Sequence, residues 1–204
     1  MLIDLKSNRW GALGAVVVLM LVGVVLAGCD SSTEPSNVVD ESELDFVPRR
    51  VEAPLLETMD TSFWAVKGQD REVEIRYQGQ DGPGTGKEFL ELVIEEQTLL
   101  RRPDGTAFAE GDSIEITVTV DPELFLVSFE PSGLEFNPEE PGKLGLDYDE
   151  AEEAFLVREG EIDFWRQEEP GDPWERLGSL KVEELDEIEV LLLGFTRYAL
   201  ATGR

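Results

Sequence analysis

Hydrophobic and polar positions alternate along much of the chain. From Ser113 to Val120 the alternation is unbroken, with Ile114, Ile116, Val118 and Val120 on one side and polar residues on the other. Val73, Ile75 and Tyr77 repeat it between Arg71 and Gln78, and Leu90, Leu92 and Ile94 follow it after Phe89. Ile188, Val190 and Leu192 show it again near the C-terminus, Ile162 and Phe164 more briefly. A period of two sends successive side chains to opposite faces, so each run predicts a half-buried β-strand. Turn residues separate the runs: Asp81-Gly82-Pro83-Gly84, Pro103-Asp104-Gly105, Pro131-Ser132-Gly133, Pro141-Gly142 and Pro170-Gly171-Asp172-Pro173. Many short strands punctuated in this way predict an all-β domain, an antiparallel β-sandwich over residues 61–204. Only Asp147 to Leu156, with Tyr148, Ala151 and Phe155 at helical spacing, suggests a helix, and it reads equally well as a loop.

The N-terminus follows a different pattern. Lys6 and Arg9 precede Trp10 to Ala27, eighteen residues without a charge. A basic start, an apolar stretch and small residues at its end describe an export signal. The alternative is a permanent transmembrane helix, since about 18 apolar residues can just span a bilayer. Gly11, Gly14 and Gly23 weaken such a helix. Leu26-Ala27-Gly28-Cys29 resembles the lipobox of bacterial membrane lipoproteins. That resemblance implies diacylglyceryl transfer to the Cys29 thiol, cleavage before Cys29 and often acylation of the new amino terminus. Residues 1–28 would then be a lipoprotein signal peptide, with the domain held outside the cytoplasm on a cell or outer membrane. Each buried methylene adds about 0.8 kcal/mol, so two or more acyl chains anchor stably where one does not. Asp30 resembles the signal that retains enteric lipoproteins on the inner membrane, and the choice of membrane stays open.

Composition narrows the chemistry. The chain carries 45 acids against 17 bases, a formal net charge of −28. Phosphate neutralisation needs clustered Lys and Arg, so nucleic acid is excluded as a partner. The absence of histidine removes Ser-His-Asp and Cys-His relays and imidazole-ligated metals. A single cysteine forms no intramolecular disulfide, redox pair or thiolate zinc cage. Acids concentrate between Asp30 and Asp60, where nine face only Arg49 and Arg50 among Ser, Thr, Pro and Asn. Residues 29–60 are therefore predicted to be an acidic, flexible, disordered tether of roughly 30 Å reach. Phe46-Val47-Pro48 and Pro54-Leu55-Leu56 offer the alternative of a short edge strand or a docked segment.

Three further segments carry a second resemblance. They are Pro103 to Asp112 leading into the 113–120 strand, Phe129 to Phe136 followed by Lys143 to Tyr148, and Trp174 to Leu177 followed by Gly194 to Leu200. In that order they resemble the ZU-five domain of zona occludens proteins, netrin receptors and ankyrins, and its bacterial lipoprotein relatives. The resemblance covers about residues 61 to 202 and implies a β-sandwich that serves as an interaction and regulatory module. Some relatives cut themselves at a His-Phe-Ser motif, to which Gly194, Phe195 and Thr196 correspond. The assisting histidine is absent here, so Phe195 and Tyr198 are expected to be core or corner aromatics closing the last strand.

Other stretches carry weaker chemistry. Asp81 to Glu88 resembles a nucleotide phosphate loop, but Asp81 replaces a glycine and Glu88 the magnesium-binding hydroxyl. A turn between two strands is the expected reading, with no nucleotide. Glu95-Glu96, Glu139-Glu140, Glu152-Glu153 and Glu168-Glu169 are paired carboxylates of the kind a glycosidase uses across a sugar cleft. Trp64, Trp165 and Trp174 would supply its platform, although a sandwich core is their expected place. Asp147 to Glu153 offers hard oxygen ligands for calcium without the glycine of an EF-hand loop. The expected function is non-catalytic: a lipid-anchored binding or scaffolding protein of the envelope, with a protein partner and no cofactor or metal. A glycan-active enzyme using paired carboxylates and a calcium-dependent adhesin are the alternatives.

Overall fold

The computed structural model describes residues 37–182 and 187–204. In chain order its first strands are β1 (Val38–Val39), β2 (Leu44–Phe46), β3 (Asp60–Val66), β4 (Arg71–Arg76) and β5 (Glu88–Ile94). Then come β6 (Leu99–Arg101), β7 (Ser113–Val120), β8 (Leu126–Glu130), β9 (Glu135–Phe136) and β10 (Gly142–Asp147). A four-residue helix, α1 (Glu153–Leu156), precedes β11 (Asp163–Gln167), β12 (Trp174–Arg176), β13 (Ser179–Val182), β14 (Glu187–Leu192) and β15 (Arg197–Gly203). One sheet runs β1-β12-β11-β15-β8-β7-β3, with β2 also paired to β15, and the other runs β13-β14-β10-β5-β4. Every pairing in both is antiparallel, and the all-β sandwich expected from the alternation is the fold.

The alternating runs place their apolar sides between the sheets. Ile116, Val118 and Val120 of β7 meet Leu90, Leu92 and Ile94 of β5 and Ile188, Val190 and Leu192 of β14 in one core. Phe89, Phe125, Phe129 and Phe195 fill its centre and are each 1% exposed or less. Asp147 to Leu156 is a helix only at its end. Asp147 continues β10 opposite Glu187, Tyr148 and Ala151 are buried in the core, and α1 begins at Glu153.

The acidic segment departs from the expected tether. From Val38 onward it belongs to the domain, whose boundary therefore lies well before residue 61. β1 pairs with β12, and β2 takes the part of β15 that β8 leaves open: Arg197 to Ala199 face β8, Ala201 to Gly203 face β2. At the junction the Val47 N–H donates to Leu200 O (2.9 Å), the Leu200 N–H to Phe125 O (2.9 Å) and the Phe125 N–H to Val47 O (3.0 Å). Further on, Leu56 bridges to Tyr77. Phe46-Val47-Pro48 and Pro54-Leu55-Leu56 thus dock. The physical reason is that Leu44, Val47 and Leu56 lose nearly all contact with water while Asp40, Glu41, Glu43, Glu52, Glu57 and Asp60 stay exposed. Hydrophobic burial is gained without bringing the like charges out of solvent.

Docking creates a second apolar layer on the outside of the larger sheet. Leu44, Leu126, Trp165, Trp174, Ala199 and Ala201 are buried there beneath Val39, Phe46 and Leu124. Phe46 meets Trp174 edge-on at 5.1 Å. With both faces covered, β15 is buried from Tyr198 to Thr202 and shows no alternation. No helix among the described residues is long and apolar enough to cross a membrane. The signal peptide, residues 1–28, and the lipidation site Cys29 lie outside the described residues.

Candidate functional site

A set of charged groups gathers at one end of the sandwich, where three segments meet. Beyond β10 the chain turns through Asp147, Tyr148, Asp149 and Glu150; the loop joining β4 to β5 brings Lys87; the N-terminal segment brings Arg49 and Arg50. The Lys87 Nζ lies 2.8 Å from Asp147 Oδ2 and 2.6 Å from Asp149 Oδ2. Arg50 Nη2 is 2.5 Å from Glu150 Oε2, and its backbone N–H donates to Glu150 O at 2.8 Å. The Arg49 guanidinium lies over the rings of Tyr77 (5.8 Å) and Phe89 (6.0 Å). Tyr77 is 1% exposed, and burial pushes its hydroxyl well above the ordinary tyrosine range.

Burial pushes Asp147 up to about 7, against the pull of Lys87 and with the help of the neighbouring Asp149 carboxyl. Two carboxyls share one ammonium here, and both do not ionise easily at that distance. An unfolded Asp147 titrates near 3.8, so between pH 4 and 7 the folded chain holds a proton that the unfolded chain has released. The contribution of Asp147 to stability therefore falls as pH rises through that window. The thermal midpoint of the native chain is expected to drop from pH 4 to 7 at constant ionic strength, and Asp147→Asn to show a shallower drop. Equal slopes would remove Asp147 as the source.

The glycine-rich stretch is a turn between antiparallel β4 and β5, as its flanks suggested. Its Gly84 N–H donates to Glu57 Oε1 at 2.6 Å, so a carboxylate of the chain sits at the loop's amide. Gly86 packs against the backbone so closely that a Cβ would lie 1.7 Å from Tyr77 O. Within the acidic turn weighed for calcium, the Lys87 ammonium occupies the position between Asp147 and Asp149.

A second acidic set covers the outer face of the smaller sheet. Glu72, Glu74 and Glu91 bring carboxylate oxygens within 4.8 Å of one another, and so do Glu88, Glu91 and Glu187. Burial, then neighbouring like charges, pushes Glu88, Glu91 and Glu187 up. Arg76 pairs with Glu74 and reaches Glu88 at 3.5 Å. Gly145 keeps this face open, since a Cβ there would lie 2.9 Å from Glu187 Oε1.

Of the paired carboxylates, Glu95, Glu96 and Glu140 line one groove together with Asp70, Arg71, Glu72 and Val93. Glu95 pairs with Lys143 (2.6 Å), Glu140 accepts the Gln97 N–H (2.6 Å), Glu152 and Glu153 are exposed at the start of α1, and Glu168 and Glu169 are exposed between β11 and β12. Trp165 and Trp174 are core residues, whereas Trp64, expected inside, is 59% exposed on β3. A groove of about 540 Å³ does bring Glu43, Glu161 and Asp163 beside Trp165. Trp165 is only 5% exposed, however; its Nε1 donates to Ala201 O (3.1 Å), and Asp163 is held by the Arg176 fork. The Thr196 hydroxyl is buried on the backbone carbonyls of Gln167 and Glu168. Phe195 is buried, and the Tyr198 hydroxyl donates to Gly194 O (2.6 Å), where a Cβ would lie 2.5 Å from Leu134 O. Both are the core and corner aromatics the sequence suggested.

Arg49, Tyr77 and Lys87 were not singled out from the sequence for the site they form. The signal available was that Arg49 and Arg50 are the two bases of an otherwise acidic segment. Comparison with protein-family models, with characterised proteins and with solved structures finds no match to this chain.

Proposed function

We propose that this chain is a lipid-anchored cell-envelope protein that binds or scaffolds another protein without catalysing a reaction. The anchor rests on Leu26-Ala27-Gly28-Cys29 after an uncharged stretch. Eight residues separate Cys29 from β1, a span of about 30 Å at full extension, so an anchored domain would stand close to its membrane. The observation that carries the non-catalytic reading is the engagement of the reactive groups. Thr196 is bonded to backbone carbonyls, Gly84 to Glu57, and Lys87 lies between two carboxylates. The resemblance to ZU-five domains points the same way, and the antiparallel sandwich agrees with it. The excess of carboxylates keeps the domain soluble and repels anionic lipid and envelope polymers.

Labelling intact cells with a palmitate analogue tests the anchor: incorporation is expected in the native chain and lost in Cys29→Ala. Incorporation that survives in Cys29→Ala overturns it. Cross-linking of the acylated protein in its own envelope is then expected to trap a discrete protein partner.

A further inference from the structure

The larger sheet stops at β3, which pairs with β7 alone. At the two ends of that ladder the Val120 N–H donates to Met59 O (2.8 Å) and the Lys67 N–H to Asp112 O (2.8 Å). Bonded residues alternate along an antiparallel pair. Thr61, Phe63 and Ala65 therefore turn their backbone groups to β7, while Asp60, Ser62, Trp64 and Val66 turn theirs outward. The chain itself closes both ends of this outward row. The Thr58 hydroxyl donates to Asp60 O and accepts the Asp60 N–H (3.3 Å), and Val66 O accepts the Gln69 N–H (3.1 Å). Between them the N–H and C=O groups of Ser62 and Trp64 have no partner among the described residues, and both residues are exposed.

Edge strands are ordinarily blunted by brevity, charge, proline or a bulge. β1 is two residues long. β4 carries Arg71, Glu72, Glu74 and Arg76, and its far end is covered where the Glu57 N–H donates to Arg76 O (2.9 Å). β3 has seven residues, an unbroken register, no proline and no charge from Thr61 to Val66. On its outer face Trp64 is 59% exposed beside Glu115 of β7, and Ser62 Oγ lies 2.8 Å from Thr117 Oγ1.

We propose that the open edge of β3 takes up an extended, basic segment of a partner protein as an added antiparallel strand, with a lysine or arginine laid on Trp64. The proposal rests on the binding role given above and names its surface. Backbone bonds to Ser62 and Trp64 supply the affinity, and the side chain opposite Trp64 supplies the selectivity. That side chain stands on the same face as the exposed indole, with Glu115 one strand further in. A lysine or arginine there gains a cation–π contact and faces a carboxylate. The net charge of −28 draws a basic segment to this edge and repels a second copy of the chain.

Amide exchange resolved by nuclear magnetic resonance tests this on the full chain in an uncharged detergent. The probe is a blocked heptapeptide of alternating lysine and valine. At about ten times its Kd it is expected to slow exchange of the Ser62 and Trp64 N–H groups about tenfold and to leave Phe63, already bonded to β7, unchanged. Ser62→Pro removes an N–H that the β7 ladder does not use, and is expected to abolish the protection of Trp64. Should that variant not fold, the native chain decides with the same peptide methylated on its lysine backbone nitrogens. That peptide keeps the charge, loses the bonds and is expected to protect neither amide. Trp64→Ala is expected to weaken the probe about two- to fivefold. No protection at millimolar probe, equal protection by the methylated peptide or by one with glutamate for lysine, or unchanged affinity in Trp64→Ala overturns the proposal. So does protection of Ser62 and Trp64 that rises with protein concentration alone, which would give the edge to a second copy. A partner cross-linked in the envelope equally by the native chain and by Ser62→Pro leaves the binding role standing and overturns the edge.

Discussion

A chain that begins at Thr61 is expected not to fold, whereas one that begins at Asn37 is expected to keep a single cooperative unfolding transition. Removing residues 37–60 takes Leu44, Val47 and Leu56 out of the interior, each 5% exposed or less. Full burial of such side chains contributes about 1.5–3 kcal/mol apiece. The loss spreads further: Trp165 and Trp174 lose their cover, and the Ala201–Gly203 edge of β15 loses its partner. Arg49 and Arg50 leave Glu150 and the Tyr77 ring behind. Together these approach the whole stability of an ordinary domain, about 5–15 kcal/mol. Far-ultraviolet circular dichroism through a urea titration measures it. A chain from Thr61 with the native midpoint would restore the segment to the status of a tether.

Phe195→Ala is the point substitution expected to cost most, about 3–5 kcal/mol. Its ring is 1% exposed, stacked on Phe129 at 4.7 Å and edge-on to Phe136 at 4.8 Å. Its backbone holds the same junction, with its N–H donating to Leu134 O (3.1 Å) and its carbonyl accepting the Gly133 N–H (3.2 Å). Phe195 thereby packs the start of β15 against β8 and against the two-stranded ribbon formed by β6 and β9, where Leu99 lies opposite Phe136. Neighbouring rings cannot close over the cavity without giving up their own stacking. Trp64→Ala, larger in volume but on an exposed side chain, is expected to stay within about 0.5 kcal/mol of the native chain. A loss below 1 kcal/mol for Phe195→Ala in the same urea assay would show that the junction repacks.

How far each feature could be read ahead of the structure depended on how many faces of an element are covered. β7 was legible to the residue, because one of its faces meets the core and the other meets water. β15 was not, because Ala199 and Ala201 lie under the N-terminal segment while Tyr198 and Leu200 face the core. Alternation disappears when both sides are dry. The same segment was misjudged for a related reason. Averaged over its length, its acids dominate, but their side chains remain in solvent and the spaced Leu44, Val47 and Leu56 decide its place.

What the chain determines by itself is local: strand periodicity, turn residues, the lipobox-like run ending at Cys29 and the chemistry removed by having no histidine. These follow from neighbouring residues and need no fold to be read. The tertiary structure alone decided the end cluster, since Arg49, Asp147 and the pair Tyr77 and Lys87 come from three separate segments. Spacing along the chain holds no trace of a meeting made by sheet packing. The same holds for Asp147 itself: an ordinary aspartate in sequence, it keeps its proton to about pH 7 because packing withdraws it from water beside a second carboxyl.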